Sequence, residues 1–251
     1  TTDEIRTMLQ MTTSLRNKAV IHFLASTGCR VGAIEDLRLK CISDVADNCK
    51  SVLFYEGSTE EYCSFLTPEA SKVLQDYFDE RVKHGEYLNP NSPLFRREYR
   101  KLGIAKAESV DVQTLRTTLN DSVFSKIRLA KSENKRHDIP MFHGFRIRFN
   151  TILKNNKDVN SNIAERLMGH FSKTMPLDTS YFKPSLDDLF LEFKKAIPKL
   201  IIDEAYRLRL QNEIKDQKIK DLESEKDKKI YYLEKKFDNI EKLLEKANTK
   251  A

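Results

Sequence analysis

Three short stretches carry residue types that can act on a phosphate. In "STGCRVGAIEDLRL", Arg30 follows a Thr-Gly break at the end of an apolar run, so its side chain is aimed from a helix boundary. In "HGFRIRFNT", His143 and Arg146 are three apart, which puts both on one face of a helix starting near Gly144. In "RLMGHFSKTMPLDTSYFKP", His170 follows Gly169, and Tyr181 comes eleven residues later across a polar loop containing Pro176. Planar guanidiniums donate paired hydrogen bonds to phosphate oxygens and stay charged. A phenol, with an ordinary pKa of about 10, needs positive neighbours and a proton acceptor before it can attack. Taken singly, the stretches also fit a surface arginine, a solvated basic helix face and a packing tyrosine. Together they describe a site for a phosphate.

The elements that must position these residues are mainly helical. Ile5, Met8 and Leu9, then Val20, Phe23 and Leu24, recur at helical spacing, and Gly28 ends the second run. "VGAIEDLRLKCI" reads as a further short helix. "KSVLFYEGSTEEYCSFLT" reads as a hairpin, two β-rich runs around Gly57-Ser58. Thr67, Pro68 and Glu69 form a strong helix start for the segment reaching Lys83. Residues 85–110 read as a loop with the basic segment "FRREYRKLG". Residues 111–130 and 144–155 read as helices separated by the polar "KSENKRHDIP", and a helix at about 159–168 leads into the Gly-His pair.

The tail differs. From Ile201 to Ala247 it has no glycine or proline, and lysine and glutamate dominate. Ala205, Leu208, Asn212, Lys215, Ile219 and Leu222 follow alternating spacings of three and four. Ile230, Leu233, Phe237, Ile240, Leu244 and Ala247 repeat the pattern with an offset of four, as a stutter gives. This reads as a coiled coil with Asn212 as a register device, or as a lone charged helix, since Lys215, Lys226 and Lys229 also fall on the seam.

The net charge is +6 over 251 residues. Residues 185–251 hold 16 Lys+Arg against 15 Asp+Glu, leaving 28 against 23 in the first 184. The excess positive charge therefore lies with the candidate site, where a polyanionic partner would bind. Cys29, Cys41, Cys49 and Cys63 form no C-x-x-C pair and are read as reduced, partly buried residues. No run approaches the ~18 apolar residues of a membrane span. The chain opens Thr-Thr-Asp-Glu, without a starting Met or signal peptide, which suggests a fragment of something longer. His22 reads as a half-buried helix residue, His84 and His137 as surface residues. "FRREYRK" and "SENKRH" read either as DNA-backbone contacts or as solvated loops.

The order Thr-Gly-x-Arg, His-x-x-Arg, Leu-x-Gly-His, then Tyr resembles the catalytic domain of the tyrosine recombinase (phage integrase) family over about residues 1–195. "SYFKP" and "STGCRVGAIEDL" look most like its archaeal integrases. The resemblance implies a mainly α fold with a small antiparallel β-hairpin or sheet: a catalytic domain at 1–195, then a charged helix or coiled coil at 196–251. It also implies a site-specific recombinase or integrase that cuts and rejoins double-stranded DNA through a 3′-phosphotyrosyl intermediate. Tyr181 would attack, Arg30 and Arg146 would clamp the non-bridging oxygens, His143 would act as acid/base, and His170 would contact the phosphate. No metal or nucleotide cofactor is implied. The expected setting is cytoplasmic and nucleoid-associated, as a homo-oligomer on paired sites, for integrating a mobile element, with a DNA-clamping helical domain ahead of this segment.

Two departures qualify the resemblance. The family places a lysine in the hairpin turn to protonate the leaving 5′ oxygen, but "YEGSTEEY" has none. Thr59 stands about there, and Lys50 and then Lys40 are nearest in sequence. Ala33 replaces an acidic residue that many members carry, which the archaeal type of this box tolerates. The missing lysine keeps a second reading open, a DNA-binding regulator of this fold that has lost cleavage. A nicking-closing enzyme of the type IB topoisomerase kind uses the same chemistry. An assembly protein, whose tail is the working part, is a third possibility.

Overall fold

The computed structural model describes residues 1–98, 107–127, 140–170 and 183–248, with side chains of the last helix described to residue 236. Helix α1 (Thr2–Met11) opens with a capping box, in which Thr1 accepts from the Glu4 amide and Glu4 reaches back to Thr1. Helix α2 (Leu15–Thr27) is buried nearly all round, from Arg16 to Thr27. Such a helix belongs at the centre of a core. It packs against α3 (Pro68–Lys83) and α6 (Phe142–Lys154), and strand β3 (Tyr62–Leu66) lies beside it. Phe23 of α2 sets its edge against Phe54 and Phe95, with centroids 6.1 and 5.3 Å apart.

The stretch read as a short helix after Gly28 is instead two 3-10 turns, Val31–Glu35 and Leu39–Cys41, running into strand β1 (Ile42–Asp44). Arg38 begins the second turn in an extended conformation, which interrupts any continuous helix. β1 adds a third strand to the expected hairpin of β2 (Lys50–Phe54) and β3. The order is β1-β2-β3, all antiparallel, with Val52 opposite Ile42 on one side and Ser64 on the other. The segment 111–127 contains α4 (Val112–Leu119), a π-helical turn (Asn120–Phe124) and the short α5 (Ser125–Ile127).

Helix α7 (Ser161–Leu167) packs on β3 and α6. Helix α8 (Leu186–Leu200), also capped by a Ser185/Asp188 box, lays Phe190 and Phe193 against Phe65, both at 5.3 Å. The compact unit runs to Asp203, because α8 buries Leu189, Phe193, Ala196 and Leu200 in it. Helix α9 (Glu204–Asn248) belongs to a second unit.

Arg148 fastens the first unit from inside. Its guanidinium, only 8% exposed, donates to Thr2 Oγ1 and to the carbonyls of Ala25, Lys199 and Leu200. It thus links α1, α2 and the end of α8, where a cation also favours the helix dipole. Burial lowers its pKa to about 10, against the pull of Glu69. In "FRIRF" the two arginines need not share a role, and here Arg146 and Arg148 serve different tasks. His22 is more buried than its half-buried expectation, at 7% exposure, because α2 is covered on every side.

Candidate phosphate-binding site

The end of α2 sets the first wall. Gly28 adopts φ +59 and returns its N–H to the Leu24 carbonyl at 3.0 Å. A Cβ there would meet the Phe149 ring of α6 at 2.5 Å, so the left-handed turn and the close approach of α6 both require glycine. Cys29 follows, buried, its thiol pushed up to about 12 by burial and so unsuited to attack. Arg30 then emerges exposed at the start of the first 3-10 turn.

The end of α7 sets the second wall. Gly169 (φ +63) donates to the Arg166 carbonyl at 2.9 Å, and the His170 amide donates to the Glu165 carbonyl at 2.9 Å. Those two bonds are a Schellman ending, with Gly169 at C′ and His170 at C″. The motif brings C″ back over C3, which here is Glu165. Its carboxylate Oε2 lies 2.6 Å from His170 Nδ1. A carboxylate only accepts, so Nδ1 carries the proton in this contact. Lys154 of α6 pairs with the other Glu165 oxygen. Burial works to raise the Glu165 pKa, but hydrogen bonds from Lys154 and His170 outweigh it and hold the carboxyl below its usual range.

Arg146 joins the two walls. One terminal nitrogen donates to the Gly28 carbonyl at 2.8 Å and the other to the Met168 carbonyl at 2.7 Å. Residues two positions beyond each acceptor are Arg30 and His170. Burial lowers the Arg146 pKa; the Tyr62 phenol opposes that shift and the adjacent Arg30 charge adds to it. Among the described residues neither Arg30 nor Arg146 has an ion-pair partner. Two neighbouring guanidiniums with no carboxylate partner among the described residues suit a bound anion. The carbonyls use two of the five N–H groups of Arg146.

The hairpin forms the third side. Tyr62, whose ring Gly169 would strike at 2.6 Å if it bore a Cβ, stacks on Phe54 at 4.7 Å. Its buried hydroxyl lies beside the Arg146 guanidinium, and burial pushes its phenol well above the usual range. Tyr55 begins the turn at φ +53, with burial raising its pKa and Arg30 opposing. The turn residue Glu56 pairs with Lys40 at 2.6 Å, whereas Lys50 pairs with Asp44 at the opposite end of the strands.

Arg146 thus ties together backbone carbonyls two residues before Arg30 and two residues before His170, and Arg30 lies near enough for its charge to act on Arg146. His143 is exposed one turn before Arg146 on α6, unlike the buried Arg146, so the shared helix face carries one solvent-facing and one inward side chain. Tyr181, His137, most of "KSENKRHDIP" and part of "FRREYRKLG" lie outside the described residues. Glu165, Lys154, Tyr55 and Tyr62 belong to the site's surroundings and were not singled out in sequence. Glu165 was signalled by its place four residues before a Gly-His helix end. Among the described residues no three His, Cys, Asp or Glu side chains cluster as metal ligands, and no helix is long and apolar enough to cross a membrane.

A buried arginine thus spans two helix ends beside a second, exposed arginine, on an α-helical scaffold with a small sheet. The family model "Phage integrase family" matches residues 1–182. The chain belongs to that family. Among solved structures it is similar to XerA recombinase (20% identity, 77% of this chain, 61% of that one, TM-score 0.49). It is also similar to XerH site-specific recombinase bound to difH substrate in a pre-cleavage complex (17%, 67% and 44%, 0.48). The chain spans 61% of the length of the XerA chain. A search of curated proteins finds no match.

Proposed function

We propose that the chain is the catalytic part of a site-specific tyrosine recombinase that cuts and rejoins double-stranded DNA without a metal or nucleotide cofactor. The observation carrying this reading is Arg146, whose bonds tie together the Gly28 and Met168 carbonyls, two residues before Arg30 and His170 respectively. Family membership supports it, and the XerH neighbour is described as bound to its difH substrate.

In this reading Arg30 and Arg146 hold the non-bridging oxygens and stabilise the charge that builds at phosphorus. His170, its Nδ1–H held by Glu165, donates Nε2–H to a phosphate oxygen as the imidazolium. His143 assists proton transfer from the Tyr181 phenol. The Tyr181 oxygen forms a bond to phosphorus as the bond to the 5′ oxygen breaks. That oxygen takes up a proton and leaves as a 5′-hydroxyl, while the 3′ phosphate stays on tyrosine. The reverse attack by a 5′-hydroxyl reseals the strand, so the ester conserves the bond energy. Of the lysines near the hairpin in sequence, Lys40 is the one held at its turn, through Glu56, and it is assigned as donor to the leaving oxygen.

The test uses nicked duplexes with a randomised core, placed so that the short 5′-hydroxyl fragment diffuses away and traps the adduct. Wild type should accumulate a covalent adduct in EDTA. Tyr181→Phe should give none while still binding DNA, and Arg146→Ala should slow adduct formation by about 10²–10³-fold. A chain that binds DNA but never forms an adduct would support the non-cleaving regulator instead.

A further inference from the structure

Helix α9 leaves an apolar row in solvent. Leu208, Ile219, Leu222, Ile230 and Leu233 are each 41–55% exposed along a helix otherwise rich in charge. They fall on the seam defined by the three-four spacing, with its four-residue offset after Leu222. A stripe of this kind on a 45-residue helix is an interaction surface.

We propose that a second copy of this chain covers the stripe, forming a parallel two-stranded coiled coil. The flanking charges select both partner and direction. In a parallel pair each g residue faces the e residue five positions on in the partner. With Ala205 and Ile230 at a positions, those pairs are Glu204 with Arg209, Lys218 with Glu223, Lys229 with Glu234, and Lys236 with Glu241. All four are of opposite sign, and neither remaining pair, Gln211 with Asp216 or Leu243 with Asn248, is repulsive. Antiparallel pairing about Lys226 would match Arg209 with Glu241 and Glu225 with Lys229. It would also oppose Asp216 to Glu234, Glu223 to Asp227, and Lys218 to Lys236.

The seam agrees with the flanks. Parallel strands place Asn212 against Asn212, where two amides satisfy each other and fix the register. Antiparallel strands would place it against Ile240 and leave the amide unpaired. Lys215 and Lys226 weaken either arrangement, though their aliphatic stems can lie along the seam with the ammonium outside. A parallel coil joins two copies at the same end and so raises the local concentration of a second copy of the first unit. The inference rests on α9 alone and does not depend on the catalytic reading.

Sedimentation equilibrium of the full chain without DNA should give a dimer, and the chain ending at Asp203 should give a monomer. Lys218→Glu with Lys229→Glu turns two attractive pairs per strand repulsive and should weaken the dimer at least about tenfold. Adding Glu223→Lys and Glu234→Lys should restore it. In the antiparallel arrangement the first pair of changes would relieve one repulsion and create another, with little net effect. Leu208→Cys should cross-link under mild oxidation where wild type does not. Antiparallel strands would hold the two cysteines about 54 Å apart, from 36 residues at ~1.5 Å each. A monomeric full chain overturns the proposal. So does a dimer that neither cross-links at Leu208→Cys nor responds to the charge reversals.

Discussion

Gly169→Ala tests the link between backbone conformation and the site. Gly169 sits at φ +63, and a Cβ there would meet Tyr62 Cδ1 at 2.6 Å, Cε1 at 2.7 Å and Cγ at 3.0 Å. Tyr62 cannot yield cheaply, since its ring is buried and stacked on Phe54 at 4.7 Å. The left-handed conformation costs an alanine about 1 kcal/mol. Overpacking against the ring adds about 1–3 kcal/mol. The sum, about 2–4 kcal/mol, corresponds to a drop in Tm of roughly 5–15 °C for a domain of this size. Thermal unfolding followed by circular dichroism measures it. A double-mutant cycle separates the two parts: in a Tyr62→Leu background the alanine should cost only about 1 kcal/mol, because the clash is gone and the strain remains. The same full penalty in both backgrounds would refute the steric argument. An unchanged Tm in Gly169→Ala would refute the turn geometry itself.

Three further outcomes follow from named contacts. Glu165→Gln should slow cleavage by about 10²-fold while DNA affinity holds, and should alter the pH profile of cleavage, because the carboxylate holds the His170 ring through its Nδ1 proton without touching substrate. Lys40→Ala should slow cleavage by about 10²-fold, and a substrate with sulfur in place of the leaving 5′ oxygen should recover the rate, since a thiolate leaves unprotonated; Lys50→Ala should leave the rate unchanged. Burial, reinforced by Lys18, lowers the His22 pKa to about 4, below its ordinary 6.5. The unfolded chain thus binds the proton more readily, so stability is full above pH 6.5 and falls by about 3 kcal/mol as pH drops to 4. Urea denaturation across that window should show the slope in wild type and a flatter one in His22→Gln.

The helices were legible because their caps and periodicity are local. Thr67-Pro68-Glu69 marked α3, and the break at Gly28 marked the end of α2. The hairpin was legible for the same reason. β1 was not, since three residues are too few for alternation to show, and its pairing with Val52, Ser51 and Lys50 is a tertiary fact. Arg30, Arg146 and His170 could be nominated from residue type and order. What sequence could not supply was the carbonyl contacts by which Arg146 unites the other two, because they join positions 118 and 22 residues away. Nor could it tell Arg146 from Arg148, two residues on: one lies at the candidate site and the other fastens α8. Glu165 was a nearer miss, since the Schellman ending that folds it onto His170 is encoded in "ERLMGH" itself. Lys40, ranked behind Lys50 by sequence distance, became the better candidate only through Glu56.

The central claim is that this arginine-lined locus serves a tyrosine that takes the 3′ phosphate of a cut strand. The trapped adduct tests it most directly, using strands labelled separately at the 5′ end upstream and the 3′ end downstream of the cut, followed by mass spectrometry of the linked peptide. The account predicts that the 5′-labelled upstream fragment stays with the protein and that the modified peptide carries the nucleotide on Tyr181. Retention of the downstream fragment, or attachment at any other residue, would contradict it.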